Sequence, residues 1–303
     1  MVDFVHEALF YQDRDQYLAA TVPFVLDGLA GGEPVLVAVP SYNVDLIRDE
    51  LGAKSEHVRF LDMTQGGRNP GRIIPGVLTP FSNEHPSRVR IIGEPIWAGR
   101  SVTEYPACVQ HEALINTAFN GVDATILCPY DTSGLAPDVL VDAERTHPVL
   151  LADGDRRPSP RYDDPRRIVT DFNVPLPTPP RSAVAYWFDM HSLPATRRLV
   201  TDYATTAGLT EDRVDDLVLA VNELTTNSIE HANGGGELLV WQEGDAVVCE
   251  VRDQGTLRDP MVGRLRPSAS AQGGYGVVMV NLLCDLVRVH SGDSGTAIRV
   301  HVG

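Results

Sequence analysis

Three polar residues between positions 210 and 232 have the spacing of one helical face. Glu223, Asn227 and His231 are four positions apart, so an α-helix would carry them on one side, away from its apolar stripe. A carboxylate and a carboxamide one turn apart suit a divalent cation that binds phosphates, because the amide oxygen can ligate Mg²⁺ while the carboxylate orients a water or hydroxyl. The same spacing is also typical of a solvated helix face, and His231 is expected to be a helix-end residue.

Two later segments could complete a nucleotide site. Asp253 ends an alternating strand pattern, and Gly255 follows it in a turn. A strand-end carboxylate could accept a hydrogen bond from the amine of adenine, and a glycine lets the backbone come close. Gly273, Gly274 and Gly276 precede an apolar helix, where backbone N–H groups could meet phosphate oxygens. Taken singly, each segment is equally typical of an ordinary turn or loop.

The elements that must position these residues follow from the apolar pattern of the second half of the chain. We predict a strand, two helices, a hairpin, a short helix and two closing strands, in that order. Their ranges are 183–188, 195–207, 210–232, 238–242 with 247–252, 276–284, 286–290 and 296–302. Helices on one side of a largely antiparallel sheet predict an α+β two-layer sandwich.

In their order, these motifs resemble the GHKL (Bergerat-fold) ATP-binding domain that histidine kinases, the gyrase B subunit and MutL share. The resemblance covers residues 183–303 and is strongest to anti-sigma-factor serine kinases, whose helix typically reads E-L-V-T-N-A-x-x-H where this chain has Glu223–His231. It implies ATP and Mg²⁺ as cofactors, with Asn227 as the metal ligand and Glu223 as the base or water-positioning residue. It implies further contacts with ATP from Asp253 at adenine, Gly255 behind it, Thr296 near adenine, and Gly273, Gly274 and Gly276 in a phosphate lid.

Two departures from the family pattern predict weaker ATP binding. Leu257 stands where a second glycine often follows Asp-x-Gly, and the lid reads Gly-Gly-Tyr-Gly instead of Gly-Arg-Gly-Leu, so it lacks a cation. His191 lies in a loop-like segment with no long dimerisation hairpin before it, which disfavours phosphorylation of the chain on histidine. Transfer to a serine or threonine of a separate protein, or ATP-gated binding without catalysis, fits the motifs better.

In the first half, strand-like runs alternate with helical patterns, which predicts a parallel sheet covered on both faces, a three-layer α/β domain. The strands are expected at 34–40, 89–92 and 124–128, and the helices at 14–29 and 105–119. Six short motifs resemble the MEDS sensory domain, a RecA/KaiC-like module: residues 6–11, 22–33, 93–97, 110–116, 128–131 and 146–148. The strand at 35–39 is not followed by G-x-x-x-x-G-K-[ST], so phosphate binding on that loop is not expected.

Polar residues in these motifs form the candidate sensory site. We expect them at strand ends along the carboxyl edge of the sheet, where α/β domains bind ligands. They are His6, Tyr11, Glu94, Trp97, Glu112, Cys128, Tyr130 and His147. Cys128 and His147 could bind a metal, or Cys128 could act as a redox sensor, and buried structural roles are the alternative for both. The family resemblance implies a small-molecule signal, such as a hydrocarbon derivative.

Composition narrows the classes of partner. The 303 residues include 41 acidic and 25 basic side chains, a formal net charge of −16 that disfavours general binding to nucleic acid or an anionic membrane surface. The four cysteines are scattered, no apolar run is long enough to cross a bilayer, and the N-terminus lacks a signal peptide pattern, so a cytoplasmic protein is expected. A stretch rich in proline and charge divides the chain into domains at 1–152 and 182–303, with a connector at 153–181.

The sequence thus predicts a signalling regulator in which a sensory domain controls an ATP- and Mg²⁺-dependent protein serine kinase. The resemblance implies a sigma factor or an anti-sigma factor antagonist as its protein partner, and is compatible with a homodimer. The alternatives are a non-catalytic module that binds proteins with or without ATP, and a histidine kinase that works with a response regulator.

Overall fold

A computed structural model describes residues 3–265 and 274–303. The chain divides into two compact units, residues 1–172 and 173–303. No helix among the described residues combines the length and the apolar character that a membrane span needs.

The first unit is built on a seven-stranded sheet with the order β3-β2-β4-β5-β1-β6-β7. All neighbouring strands are parallel except β6 and β7, which are antiparallel. The strands are β1 (Phe4–Tyr11), β2 (Val35–Val39), β3 (Val58–Asp62), β4 (Val89–Gly93), β5 (Ala124–Asp131), β6 (Val149–Ala152) and β7 (Asp155–Pro158). β2 is buried at every position, as expected for a parallel strand covered on both faces.

The helices of this unit lie on both faces of the sheet. From β1 the chain moves toward one edge of the sheet, to β2 and then β3, and afterwards moves back toward the other edge through β4, β5 and β6. Because parallel crossovers are right-handed, helices that connect strands in one direction lie on one face, and helices that connect them in the other direction lie on the opposite face. In agreement, α1 packs against α2, whereas α6 packs against α4, α7 and α8. The helices are α1 (Arg14–Ala30), α2 (Ser41–Leu51), α3 (Met63–Gly66), α4 (Pro70–Ile73), α5 (Thr79–Asn83), α6 (Tyr105–Ala118), α7 (Pro137–Thr146) and α8 (Pro165–Asp171). The predicted three-layer α/β architecture is confirmed.

β1 is a central strand that the apolar pattern did not reveal. It pairs with both β5 and β6, and polar residues such as His6 and Glu7 interrupt its run, which hides it from a hydrophobicity argument. The first strand of the sheet is therefore β1 and not residues 35–39. Its C-terminal end leads into Asp13, whose carboxylate accepts a hydrogen bond from the Gln16 N–H and caps α1. No P-loop follows this strand either.

The first part of the predicted connector at 153–181 contains regular secondary structure. Residues 155–158 form β7. The sequence left open a short edge strand at 168–174, but residues 165–171 form α8 instead. The prolines are tolerated because Pro165 is at the first helical position, where its missing N–H has no intrahelical partner, and Pro158 ends an edge strand. Asp164 caps α8 by accepting from the Arg166 N–H. Both elements belong to the first unit.

Residues 173–181 have no regular secondary structure but are fastened to the second unit. The side-chain amide of Asn173 donates to the Ser291 carbonyl at 2.7 Å, and its oxygen accepts from the Ser291 N–H at 3.1 Å. The buried Arg299 donates to the Pro177 carbonyl. This proline-rich segment is therefore held against the closing strands rather than being a free linker.

The second unit is an antiparallel sheet with the order β11-β12-β10-β9-β8 and helices packed on it. Its elements are β8 (Val184–Asp189), α9 (Leu193–Thr206), α10 (Glu211–His231), β9 (Gly235–Glu243), β10 (Ala246–Asp253), α11 (Gly276–Leu283), β11 (Leu286–Gly292) and β12 (Gly295–Val302). Apolar residues from all three helices and from the sheet form one core that includes Leu217, Val221, Cys249 and Val280. The predicted α+β sandwich is confirmed.

Candidate functional site

The second unit brings the start of α11 against two polar residues of α10. Glu223 and Asn227 are partly exposed, on the side of α10 that faces away from the core. A Cβ placed on Gly276, the first residue of α11, would lie 2.7 Å from Glu223 Oε2 and 3.4 Å from Asn227 Nδ2. A side chain at this position would displace the Glu223 carboxylate, so α11 begins in close contact with this pair. His231 is the last residue of α10, as the sequence predicts, and its side chain is exposed.

Asp253 connects the end of β10 to α10. Its Oδ2 accepts a hydrogen bond from Ser228 Oγ at 2.6 Å, and its Oδ1 accepts from the Gly255 N–H at 2.8 Å. Ser228 directly follows Asn227, so this bond fixes the strand-end carboxylate relative to the helix that carries Glu223 and Asn227. A Cβ on Gly255 would lie 2.8 Å from the Cβ of Ala232, which requires glycine at this position.

A chain of hydrogen bonds holds residues 255–257 to the last two strands. Thr296 lies opposite Asp253 in the sheet, and its hydroxyl donates to the Gly255 carbonyl at 2.9 Å. Since that hydrogen is used, Ser291 Oγ must donate to Thr296 Oγ1, at 2.8 Å, while it accepts from the Leu257 N–H. Although Leu257 stands at the position of the family's second glycine, its backbone N–H and the Gly255 carbonyl still fix the turn through these hydrogen bonds.

The residues present fit ATP with Mg²⁺. Carboxylate and amide oxygens of Glu223 and Asn227 are the ligands that Mg²⁺ prefers, and the start of α11 beside them offers backbone N–H groups to phosphates. Mg²⁺, when bound there, would neutralise charge on the phosphate oxygens. Gly274 has a φ of +87°, a conformation that favours glycine, just before α11. Gly273 lies outside the described residues.

The eight residues predicted to form a sensory site fall into separate groups. Tyr11 ends β1 and Glu94 follows β4, so both lie at the carboxyl edge of the sheet as expected. Trp97 stacks under the guanidinium of Arg100, 4.0 Å from its ring centroid. The remaining residues lie deeper, between the sheet and helices α6 and α7; they are His6, Glu112, Cys128, Tyr130 and His147.

Glu94 is a buried carboxyl group at the carboxyl edge. Burial raises its pKa to about 8, although a hydrogen bond from Asn43 Nδ2, at 2.8 Å, opposes the shift. The nearby carboxylate of Asp131 raises the pKa further. Tyr17 also faces this carboxyl group, and burial raises the pKa of the Tyr17 hydroxyl. At neutral pH Glu94 is therefore largely protonated, which makes it a hydrogen-bond donor in this part of the domain.

The deeper group places four potential metal ligands together. His6, Glu112, Cys128 and His147 are all buried, and one ligand atom from each lies within 4.8 Å of those of the others. Burial lowers the pKa of His6 to about 4, so this imidazole is neutral at physiological pH. Glu112 is buried between the two imidazoles, and their Nε2 atoms lie 3.3 Å (His6) and 3.2 Å (His147) from its Oε2. Tyr130 borders the group, with its ring 5.5 Å from that of His147.

A cavity of about 520 Å³ opens elsewhere in the first unit, between α1, β1 and the turn from β6 to β7. Its lining is largely apolar and includes Phe10, Ala20 and Leu151. None of the eight predicted sensory residues lines this cavity. A small apolar molecule could therefore bind at a site that the polar motifs did not indicate.

Comparison with known families assigns both units. Residues 5–148 match the family model described as MEDS, MEthanogen/methylotroph, DcmR Sensory domain, and residues 186–302 match that of the histidine kinase-like ATPase domain. The chain is a MEDS domain followed by a histidine kinase-like ATPase domain. No curated protein matches it.

One solved structure similar to part of this chain contains the RsbU and RsbW domains of Rv1364c from Mycobacterium tuberculosis. The sequences are 20% identical, the match covers 41% of this chain and 32% of that chain, and the TM-score is 0.30. The chain thus spans about a third of that structure's length. A likeness this distant carries no argument about activity.

Several residues around the two polar sites were not predicted. Ser228 fixes Asp253, Asn43 donates to Glu94, and Asn116 contacts His6. Ser228 is adjacent to a predicted ligand on the same helix, which could have drawn attention to it. Asn43 and Asn116 are distant in sequence from their partners, so only the sheet topology reveals their role.

We predict that Gly255→Ala destabilises the ATPase domain. The new Cβ meets Ala232 and the carboxylate of Asp253, and overpacking of this kind costs about 1–3 kcal/mol. Gly292→Ala is the control, because its Cβ would meet nothing closer than 3.8 Å. Urea denaturation of both variants checks this; equal midpoints would contradict the close approach of α10 to this turn.

Glu94→Gln should change how the stability of the MEDS domain depends on pH. Between about pH 5 and 8 the folded state keeps a proton on Glu94 that the unfolded state has lost, so wild-type stability falls as pH rises through that interval. Glutamine can still accept from Asn43 but does not titrate, so the variant should gain on wild type by an amount on the order of a few kcal/mol at pH 8. Thermal unfolding of wild type and variant across this pH range checks this, with Glu50→Gln, a change at an exposed glutamate, as the control. A stability difference between wild type and Glu94→Gln that stays constant with pH would mean that Glu94 is ionised throughout.

Proposed function

We propose that this chain is a cytoplasmic signalling regulator whose MEDS domain controls an ATP- and Mg²⁺-dependent protein serine/threonine kinase of the anti-sigma-factor type. Its acceptor would be a serine or threonine of a separate protein in a sigma factor switch, either the sigma factor or an antagonist of its anti-sigma factor. The observation that carries the proposal is the convergence of Glu223, Asn227 and the start of α11 beside the Asp253–Ser228 pair.

The roles of the residues follow from this geometry. Asn227 would ligate Mg²⁺ on the phosphates of ATP, and the backbone of α11 would contact the phosphate oxygens. Glu223 would orient the acceptor hydroxyl or take up its proton. Asp253, whose two oxygens each accept one hydrogen bond already, keeps lone pairs with which to accept from the amine of adenine. Catalysis would rest on positioning and on neutralising phosphate charge.

The charges of the lid region favour a slow or regulated kinase. Residues 274–283 contain no lysine or arginine, so in this part of α11 only backbone N–H groups and the helix dipole can attract the phosphates. The MEDS domain would then act on a weakly bound nucleotide. Its large apolar-lined cavity supports a small apolar molecule as the signal.

Histidine phosphorylation has less support in the same structure. His191 is exposed in the turn between β8 and α9, where its N–H donates to the carboxylate of Asp189. It is not on a helix, and β8 ends two residues before it. Among the described residues, no helical hairpin before β8 presents a histidine as a phosphoacceptor.

Incubation of the full chain with γ-labelled ATP, Mg²⁺ and candidate partner proteins tests the proposal. We expect acid-stable label on a serine or threonine of the partner, and at least about a tenfold slower transfer with Glu223→Gln, because a positioned proton acceptor is worth roughly 10²–10⁴-fold. Glu230→Gln, a change at an exposed glutamate of the same helix, is the control and should transfer at the wild-type rate.

Three outcomes would count against the kinase. Acid-labile label on the chain itself would indicate a histidine kinase. ATP-dependent partner binding without transfer would indicate a non-catalytic module. Partner binding that ATP does not change would indicate a scaffold.

A further inference from the structure

The buried group of His6, Glu112, Cys128 and His147 has fewer hydrogen-bond donors than acceptors. Neither oxygen of Glu112 has a hydrogen-bond partner among the described residues, and the same holds for Nε2 of His147. The Nε2 atoms of His6 and His147 nevertheless lie 3.3 and 3.2 Å from Glu112 Oε2. Buried polar atoms without partners are costly, and a ligand is one explanation for them.

Contacts on the far side of each imidazole fix its tautomer. The Nδ1 of His147 lies 2.8 Å from the Ala143 carbonyl, which can only accept, so Nδ1 carries the hydrogen. The side-chain nitrogen of Asn116 donates to the Thr146 carbonyl at 2.8 Å, which turns its oxygen toward His6 Nδ1 at 3.1 Å. Nδ1 of His6 therefore carries the hydrogen as well.

Both histidines then direct an Nε2 lone pair toward the carboxylate and toward one another. Their ring centroids are 4.0 Å apart in a buried site, where two imidazolium ions would repel strongly. The thiol of Cys128, 3.4 Å from His6 Nε2, supplies the one remaining hydrogen. The site is thus rich in lone pairs and lacks positive charge.

Three of the six distances between these ligand atoms match a tetrahedral metal site, and all six are within 4.8 Å. With metal–ligand bonds of about 2.0–2.3 Å, neighbouring ligand atoms in a tetrahedron are about 3.3–3.6 Å apart. The separations are 3.2 Å from His147 to Glu112, 3.3 Å from His6 to Glu112 and 3.4 Å from His6 to Cys128. Histidines that bind a metal through one ring nitrogen usually donate the N–H of the other to an oxygen, as Nδ1 of both histidines does here.

From these observations we infer that the MEDS domain binds one transition-metal ion of borderline softness, with Zn²⁺ as the best match, through His6, Glu112, Cys128 and His147. Two imidazole nitrogens, one thiolate and one carboxylate form a donor set that Zn²⁺ accepts, whereas Mg²⁺ and Ca²⁺ prefer oxygen alone. The thiol proton leaves to solvent when the metal–sulfur bond forms.

The ion would connect parts of the domain that are far apart in sequence. His6 lies on β1, Glu112 on α6 and Cys128 on β5, while His147 follows α7. Four protein ligands fill a tetrahedral shell and leave no open position, which is the arrangement of structural rather than catalytic zinc sites. The metal would therefore stabilise the packing of α6 and α7 on the sheet, independently of whether the ATPase domain is a kinase.

Cobalt(II) is the probe that tests the site, because it replaces zinc and is coloured. We expect the full chain, produced in medium with Co²⁺ in place of Zn²⁺, to hold about one cobalt per chain. Its spectrum should show intense tetrahedral d–d bands and a thiolate-to-cobalt charge-transfer band, and Zn²⁺ should displace both. Cys128→Ala should abolish the charge-transfer band. Cys249→Ala, which removes a buried thiol from the ATPase core, should retain it.

A second variant keeps the test decisive if Cys128→Ala does not fold. Asn116→Leu removes the acceptor for His6 Nδ1–H without removing a ligand, and should weaken cobalt binding about 10–100-fold while the charge-transfer band remains. The inference is overturned if folded wild-type chain holds no stoichiometric metal, if its cobalt spectrum lacks the thiolate band, or if that band survives Cys128→Ala.

Discussion

The hydrogen bond between Asp253 and Ser228 is the contact on which the proposed nucleotide site depends. It joins the end of β10 to α10 at the residue after Asn227, so the carboxylate proposed to contact adenine and the amide proposed to ligate Mg²⁺ keep a fixed separation. The Gly255 N–H and the Thr296 hydroxyl hold the following turn in place from the other side. Because these groups belong to a strand, a helix and a closing hairpin, the site cannot form before the sandwich has packed.

The sequence predicted the architecture of the ATPase domain well because its elements have strong periodicity. The apolar stripe of α10 puts Glu223 and Asn227 on the side away from the core, and the strand pattern ends at Asp253, where the structure has them. The close approach of Gly276 to Glu223, and the need for glycine at position 255, depend on packing between distant elements. Such contacts have no local sequence pattern, and the roles of those glycines rested on family resemblance.

The MEDS domain was harder to predict, and for a physical reason. Its central strand β1 carries His6 and Glu7, which break the apolar run that normally marks a buried parallel strand. Once β1 is placed between β5 and β6, His6 comes beside Cys128 and the polar interruption becomes part of a buried cluster. Pro158 and Pro165 suggested a segment without secondary structure, but they belong to β7 and α8. Both stand where a missing N–H costs nothing.

We propose that the ATPase domain binds Mg-ATP through Asn227. Isothermal titration of the full chain with Mg-ATP is the decisive experiment, with Asn222→Ala as the matched control, because Asn222 lies on the same helix and accepts from Arg197 instead. We expect the chain to bind one nucleotide, at least about tenfold more weakly with Asn227→Ala and with unchanged affinity in Asn222→Ala, since a lost metal ligand costs more than one hydrogen bond. Absence of binding to the wild-type chain, or equal affinity of wild type and Asn227→Ala, would contradict it.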